Sequence, residues 1–284
     1  MRRALDAEFV TAYAQGPSES VVQQAIAAHQ GVRQALGDLD YLTFLQGSYR
    51  NDTALADMND VDIVAVSRRA GLTTREALFR DIKNRLQQSS QYVGRWTEED
   101  KCIRLNLPVR IDIVPAIASD PYQDPIEIFS LRGGQRQNWP RLHHEKGKAK
   151  SAATSGHFKQ VVRLFKRWRT CHFGSRKVAP SYYLECLLYT FPNTSFSADL
   201  ATNFVTLSQA ILRAFPDARA YHSRPLPRMA GKGNLFSSGE WDAQSFEQFR
   251  GRLAQALPHA ERALGAATPE RARQDWKAAF NGQQ

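Results

Sequence analysis

The sequence predicts an α+β fold: an N-terminal helix and a mixed sheet with flanking helices over residues 1–130, then a helical lobe over residues 131–284. Three observations lead there. Strand-like apolar runs crowd between residues 41 and 114. After about residue 125 they give way to helical periods. The 284 residues include 15 Phe, 9 Tyr and 5 Trp, ample for a sizeable core. Strands with a few helices, followed by helices alone, is the order expected of an α+β lobe joined to a helical one.

Taken along the chain, Pro17-Ser18-Glu19 opens the first clear helix. Val21, Ala25, Ala28, Val32 and Leu36 recur at helical spacing, with Val22 and Ile26 beside them, and Gly37 stops it. Tyr41-Leu42-Thr43-Phe44-Leu45 reads as a buried strand running into Gly47-Ser48, and Val61 to Val66 as a second strand. Thr73 and Thr74 begin a helix that reaches Gln88. Cys102 to Leu107 alternates, Arg110 to Val114 alternates again, and Pro108 between them suits a tight hairpin connection. Residues 120–150, rich in Pro, Gly, Gln and basic side chains, read as loop or linker, as does 217–239. Helical periods cover 152–171, 180–191, 197–214, 240–257 and 269–280.

Charge is unevenly placed. The formal net charge is +10, yet the segment from Arg132 to Lys177 alone holds thirteen Lys or Arg against one acid, Glu145. Such a field attracts phosphates, of nucleotides or of nucleic acid. No apolar run approaches the roughly 18 residues of a membrane helix. The start, MRRALDAEFVTAY, lacks a signal-peptide core, and the end, FNGQQ, carries no lipidation motif. Cys102, Cys171 and Cys186 are too few and too scattered for a disulfide framework. A monomeric protein of the reducing cytoplasm, without membrane attachment, is expected.

The chemistry concentrates in the first lobe. Gln46-Gly47-Ser48 ends a buried strand, where glycine lets the backbone approach a ligand and the turn can aim N–H groups and the Ser48 hydroxyl at a phosphate. In Asp60-Val61-Asp62-Ile63-Val64, strand alternation puts Asp60 and Asp62 on one face and Val61 and Ile63 toward the core. Two like charges about 4 Å apart repel by roughly 4 kcal/mol at an effective dielectric near 20, so something cationic must offset them. Arg110-Ile111-Asp112-Ile113-Val114 places Asp112 among apolar neighbours on an adjacent strand, where an unpaired carboxylate is costly. Three converging carboxylates form a site for hard divalent cations. Two such ions about 4 Å apart can activate a hydroxyl and stabilise a leaving phosphate oxygen.

Gly47-Ser48, Asp60-x-Asp62 and Asp112 together resemble the signature of the polymerase-β-like nucleotidyltransferases. Phe44-Leu-Gln-Gly-Ser-Tyr-Arg-Asn-Asp-Thr53 followed by Asp60-Val-Asp-Ile-Val64 is similar to the bacterial cGAS/DncV-like nucleotidyltransferases, the CD-NTases, and most to their clade E. Lys101-Cys-Ile-Arg-Leu105, Asp112-Ile-Val-Pro115 and Pro180-Ser-Tyr-Tyr-Leu-Glu-Cys-Leu-Leu-Tyr189 extend the likeness over nearly the whole chain. The resemblance implies a two-lobed enzyme with its active site in the cleft. It would use two Mg2+ (or Mn2+) ions to join nucleoside triphosphates into a cyclic dinucleotide or short cyclic oligonucleotide, whose product activates an effector in CBASS antiphage defence. Residue by residue, it implies that Asp60 and Asp62 ligate both metals. Asp112 holds the catalytic metal and helps activate the ribose hydroxyl, and Ser48 contacts the donor triphosphate. In the helical lobe it implies Lys166 as phosphate ligand assisted by Arg163 one turn earlier, Ser181 as triphosphate ligand and Tyr182 as base-stacking residue.

The chain departs from that pattern at one position. Pyrimidine-using members of clade E carry an asparagine three residues after the lysine, and here Arg169 stands there. Arginine only donates hydrogen bonds, so it suits guanine or a phosphate and disfavours uracil, and a purine donor is expected. Two other readings compete with the cyclic-nucleotide synthase. One is a nucleotidyltransferase acting on RNA or protein, for which the basic 132–177 segment would bind RNA or another polyanion. The other is a catalytically inactive nucleic-acid binder, against which the retained Asp60, Asp62, Asp112 and Ser48 argue. Cys171-His172 with His143, His144 and His157 lacks the Cys-x-x-Cys spacing of a zinc site, and His222 and His259 carry no visible constellation.

Overall fold

The computed structural model describes residues 2–57, 60–174, 176, 178–237 and 240–281. Along the chain run α1 (Arg2–Tyr13), α2 (Glu19–Leu36), β1 (Tyr41–Gln46), α3 (Gly47–Arg50), β2 (Asp60–Ser67), α4 (Arg75–Gln88), β3 (Trp96–Glu98), β4 (Ile103–Leu105), β5 (Arg110–Ile117), β6 (Ile126–Ser130) and β7 (Gly134–Asn138). The helices α5 (Pro140–Ala153), α6 (His157–Phe173), α7 (Ser181–Tyr189), α8 (Leu200–Ala214), α9 (Ala218–Ser223), α10 (Ala243–Leu264) and α11 (Pro269–Asn281) follow. Two compact units result, one of residues 17–145 and one of residues 1–16 with 146–284.

In the first unit the strands form a mixed sheet. β1 and β2 are antiparallel, β2 and β5 parallel, β5 and β4 antiparallel, and β3 continues at the edge of β4. Farther along β5, β6 takes the place of β4 and carries β7. One face is covered by α2 and α4: Val32, Leu36, Phe79, Ile82 and Leu86 pack on Val61, Ile63, Ile103, Ile111 and Ile113. Both helices have the caps their sequences foretold. Ser18 accepts from Val21 N–H, Gly37 turns the chain at φ 81°, and Thr74 accepts from Ala77 N–H. The other face is split. Its far half is apolar, with Val64, Val66, Ala116 and Ile126 clustered together, whereas its near half carries Asp60, Asp62 and Asp112.

The second unit is helical around an aromatic core. Trp168, Phe204, Phe246, Phe249, Trp276 and Phe280 are fully or almost fully buried. Two of the buried indoles bring their N–H to a carbonyl: Trp168 Nε1 donates to Ala279 O at 3.1 Å and Trp241 Nε1 to Val178 O at 2.9 Å.

Three expectations need correction. Residues 120–150 are not a linker: they form β6, β7 and most of α5. The exposed edge strand β7, Gly-Gln-Arg-Gln-Asn, has no apolar face to give an alternating signal, and Pro140 is the first residue of α5 rather than a breaker. The stretch 217–239, whose residues 238 and 239 lie outside those described, contains α9 and sends Leu226, Met229, Leu235 and Phe236 into the core. The boundary expected at 130/131 lies elsewhere, because β6 and β7 complete the sheet while α1 packs on α6, α8 and α11 through Val10 and Ala14.

Candidate active site

Four strands deliver one transverse row of side chains. Gln46 on β1 faces Asp62 on β2, Asp62 faces Asp112 on β5, and Asp112 faces Arg104 on β4. Residues opposite one another on paired strands project to the same face, so Gln46, Asp62, Asp112 and Arg104 stand side by side on the face that α2 and α4 leave uncovered. Asp60, two residues earlier on β2, shares that face and is in register with Arg110.

The cationic offset that the paired aspartates demanded comes from arginines. Arg104 grips Asp112 side-on, Nε to one carboxylate oxygen and Nη2 to the other, both at 2.8 Å. Arg110 pairs with Asp60. Cys102 lies buried nearby, and burial, with the negative charge of Asp112 second, pushes its thiol up to about 12, so it stays protonated and neutral.

Gly47 closes the row. Its φ of +66° lies in the left-handed region, and a Cβ there would stand 2.1 Å from Asp62 Oδ2. Only glycine lets the turn into α3 run this close to the carboxylate. Beside it, Gln46 Oε1 is buried without a hydrogen-bond partner, an open acceptor next to Asp62. Ser48 lies half-buried at the start of α3, and its carbonyl accepts from Thr53 N–H at 2.9 Å.

As the side chains stand, no group of three or more His, Cys, Asp or Glu among the described residues is spaced to hold a metal ion. Asp112 accepts from Arg104 through both oxygens and Asp60 pairs with Arg110. The donors themselves are carboxylates on one face of adjacent strands, a set suited to hard divalent cations, and the unpartnered Gln46 oxygen beside them is a further oxygen donor. The residues fit Mg2+ or Mn2+.

In the helical unit the expected nucleotide ligands divide. Arg169 Nη1 donates to Ala179 O at 2.8 Å and Nη2 to Ser181 Oγ at 3.4 Å, so Arg169 and Ser181 meet at the start of α7. Burial lowers the Arg169 pKa. Tyr182 packs beside Tyr183, ring centroids 6.0 Å apart, and burial raises its hydroxyl well above the usual tyrosine value. Lys166 is not the exposed point charge that phosphate binding suggested. It is 1 % exposed and its Nζ lies 3.8 Å from Glu185 Oε1. Arg163 Nε donates to Ala14 O at 2.7 Å, tying α6 to the segment after α1.

Other cations of the basic segment, of which Lys177 lies outside the described residues, also have partners within their own units. Lys150 donates to Phe191 O at 2.7 Å and sits among the rings of Phe158, Tyr189 and Phe196. Arg141 donates to Gln123 O at 3.1 Å and stacks on Phe44. With Arg163, Lys166 and Arg169, these cations serve their own units.

Comparison with known proteins bears on both units. A family model described as the cGAS/DncV-like nucleotidyltransferase C-terminal helical domain matches residues 145–257. The cyclic UMP-AMP synthase of Rhodothermus marinus is 28% identical over 224 residues, 66% of this chain and 77% of that protein. The cyclic dipyrimidine nucleotide synthase CdnE of Legionella pneumophila is 28% identical over 212 residues, 62% of this chain and 72% of its own length. Residues 145–257 thus match the C-terminal helical domain of the cGAS/DncV-like nucleotidyltransferases, and about two thirds of the chain is similar to curated cyclic-nucleotide synthases. Its fold agrees: the structure of CdnC from E. coli MS115-1 with ATP aligns with a TM-score of 0.80 at 16% identity, covering 97% of this chain and 98% of that one.

On the carboxylate face, the sequence reading missed Arg104 and Arg110 as carboxylate partners. The signal for Arg104 was present. A hairpin centred on Pro108 pairs residues equidistant from it, and Arg104 and Asp112 are each four positions away, as the observed register has them.

Proposed function

We propose that the chain is a cyclic-nucleotide synthase that joins nucleoside triphosphates by phosphoryl transfer on the carboxylate face of the sheet, in antiphage signalling through the product it releases. The observation that carries this reading is the row Gln46, Asp62, Asp112 with Asp60 beside it and Gly47 pressed against Asp62. Asp60 and Asp62 would hold two divalent ions and Asp112 one of them. Bound there, Mg2+ supplies charge stabilisation to the transferring phosphoryl group and lowers the pKa of the attacking hydroxyl. Asp112 takes the proton of a ribose hydroxyl as its oxygen bonds to the α-phosphorus of the donor. The bond from that phosphorus to the bridging oxygen breaks, and pyrophosphate leaves. A second round of the same step closes the ring.

The turn at Gly47-Ser48 offers the Ser48 hydroxyl and backbone N–H groups to the donor phosphates. On the helical unit, Ser181 at the start of α7 is the phosphate ligand and Tyr182 the stacking residue, base stacking being worth about 1–3 kcal/mol. Arg169 favours a positioning role over base reading, since its fork already holds the Ala179 carbonyl and Ser181. Lys166 acts through its pairing with Glu185, which joins α6 to α7.

Incubation with all four triphosphates and Mg2+, without any polymer, followed by mass spectrometry of the product, tests the reading. A cyclic product is expected, and Asp60→Asn with Asp62→Asn should lower its formation roughly a thousandfold or more while the fold persists. Transfer only to an added RNA or protein would replace the reading with a tailing enzyme. Turnover near wild type in the doubly substituted protein would remove the carboxylates from the mechanism.

A further inference from the structure

Arg104 is placed by the backbone, not by chance of rotamer. Its register partner across the β4–β5 hairpin is Asp112, and the fork meets both carboxylate oxygens at 2.8 Å. Its remaining nitrogen, Nη1, reaches Glu99 Oε1 at 3.3 Å, so the guanidinium is held from two sides. Arginine does not lose its proton in proteins, so the cation is permanent.

A side-on fork occupies one lone pair of each carboxylate oxygen and leaves another on each. Asp112 can therefore accept a second cation without releasing Arg104. Meanwhile the fork fixes the plane of the carboxylate and offsets one of the three negative charges on this face. Arg110 offsets another at Asp60, but both members of that pair are more exposed, at 46% and 38% against 29% and 17% for Arg104 and Asp112.

We propose that Arg104 is a positioning residue for the divalent cation at Asp112: it orients the carboxylate for the ion and keeps the site weak for free metal, so that metal enters with the triphosphate. This rests on the reading of the carboxylate face as a metal site. A row without Arg104 would bind free ions more tightly and hold Asp112 less well for reaction.

The test is Mn2+ titration without nucleotide, followed by the electron paramagnetic resonance signal of free Mn2+. It compares wild type, Arg104→Gln, Arg104→Lys, Asp112→Asn and the Arg104→Gln/Asp112→Asn pair, each checked by circular dichroism. Arg104→Gln should tighten Mn2+ binding about tenfold, or about 1.4 kcal/mol. In the Asp112→Asn background the same substitution should change nothing, because the carboxylate that Arg104 offsets is gone. Arg104→Lys keeps the charge and loses the fork, so Mn2+ affinity should stay near wild type while kcat falls and KM for nucleotide holds. Equal or weaker Mn2+ binding in Arg104→Gln, or the same tightening in both backgrounds, overturns the proposal. If the glutamine variant does not fold, the lysine variant decides: wild-type kcat there overturns it. Product formation by wild type is assayed separately. A wild type that makes no nucleotide product yet shows the predicted Mn2+ pattern refutes the enzymatic reading and leaves the Arg104 inference standing.

Discussion

At position 47 the chain has room for a hydrogen and nothing larger. An alanine Cβ would collide with Asp62 Oδ2, and the φ of +66° would cost alanine about 1 kcal/mol or more. Either Asp62 swings out of the row or the turn into α3 reopens. Misplacement of a reacting group by about 1 Å can cost a hundredfold in rate. Gly47→Ala is therefore expected to lower turnover at least about a hundredfold while melting only a few degrees earlier, read by product formation beside a thermal melt. Near-wild-type turnover would mean that Asp62 need not hold its present place. That Asp60 and Asp62 share one face was legible in the sequence, because strand alternation alone assigns it. The partners of Arg163, Lys166 and Arg169 were not. Their acceptors, the Ala14 carbonyl, Glu185 and the Ala179 carbonyl, come from segments whose packing against α6 no local period encodes.

Among the elements, those with an apolar face were readable and those without were not. β2 and β5 announce themselves by Val and Ile, whereas β7 is polar on both faces and β3 is three residues long. β3 is anchored by charge instead. Glu98 accepts from Arg75 Nη1 at 2.8 Å and Lys83 Nζ at 2.7 Å, both on α4. The Lys83 ammonium, first among the causes, holds the Glu98 carboxyl below its ordinary value of 4.5. A depressed carboxyl pKa contributes stability that is present above the ordinary value and lost as pH falls through the folded one. The pair is partly solvated, so Glu98→Gln should lower stability by only about 0.5–1 kcal/mol at neutral pH. The gap should close progressively below pH 4.5, as the wild-type carboxyl protonates. Urea denaturation of both proteins at neutral pH and in acid measures it. A gap that persists unchanged in acid would assign the effect to packing and not to charge.

For the molecule as a whole, sequence order misleads about which residues fold together. Residues 1–16 precede the sheet but belong with residues 146–284. Val10 is fully buried, Tyr13 meets Phe280 at a centroid distance of 4.5 Å, and Arg163 holds the Ala14 carbonyl. Nothing in Arg-Arg-Ala-Leu-Asp-Ala-Glu-Phe-Val names a partner some 150 residues away, so the first element went to the lobe that follows it. Val10→Asp discriminates between the two assignments. A carboxylate forced into this core is left without a partner, and the substitution belongs with the most damaging kinds, costing several kcal/mol. Because α1 packs on α6, α8 and α11, hydrogen exchange followed by mass spectrometry should show protection falling across those helices. The amides of β1, β2 and β5 should stay protected, since their hydrogen bonds and the α2 and α4 cover lie in the other unit. Equal loss of protection in those strands would show that the two units unfold as one cooperative body, in which case the packing of α1 on the helices does not set the limits of what it stabilises.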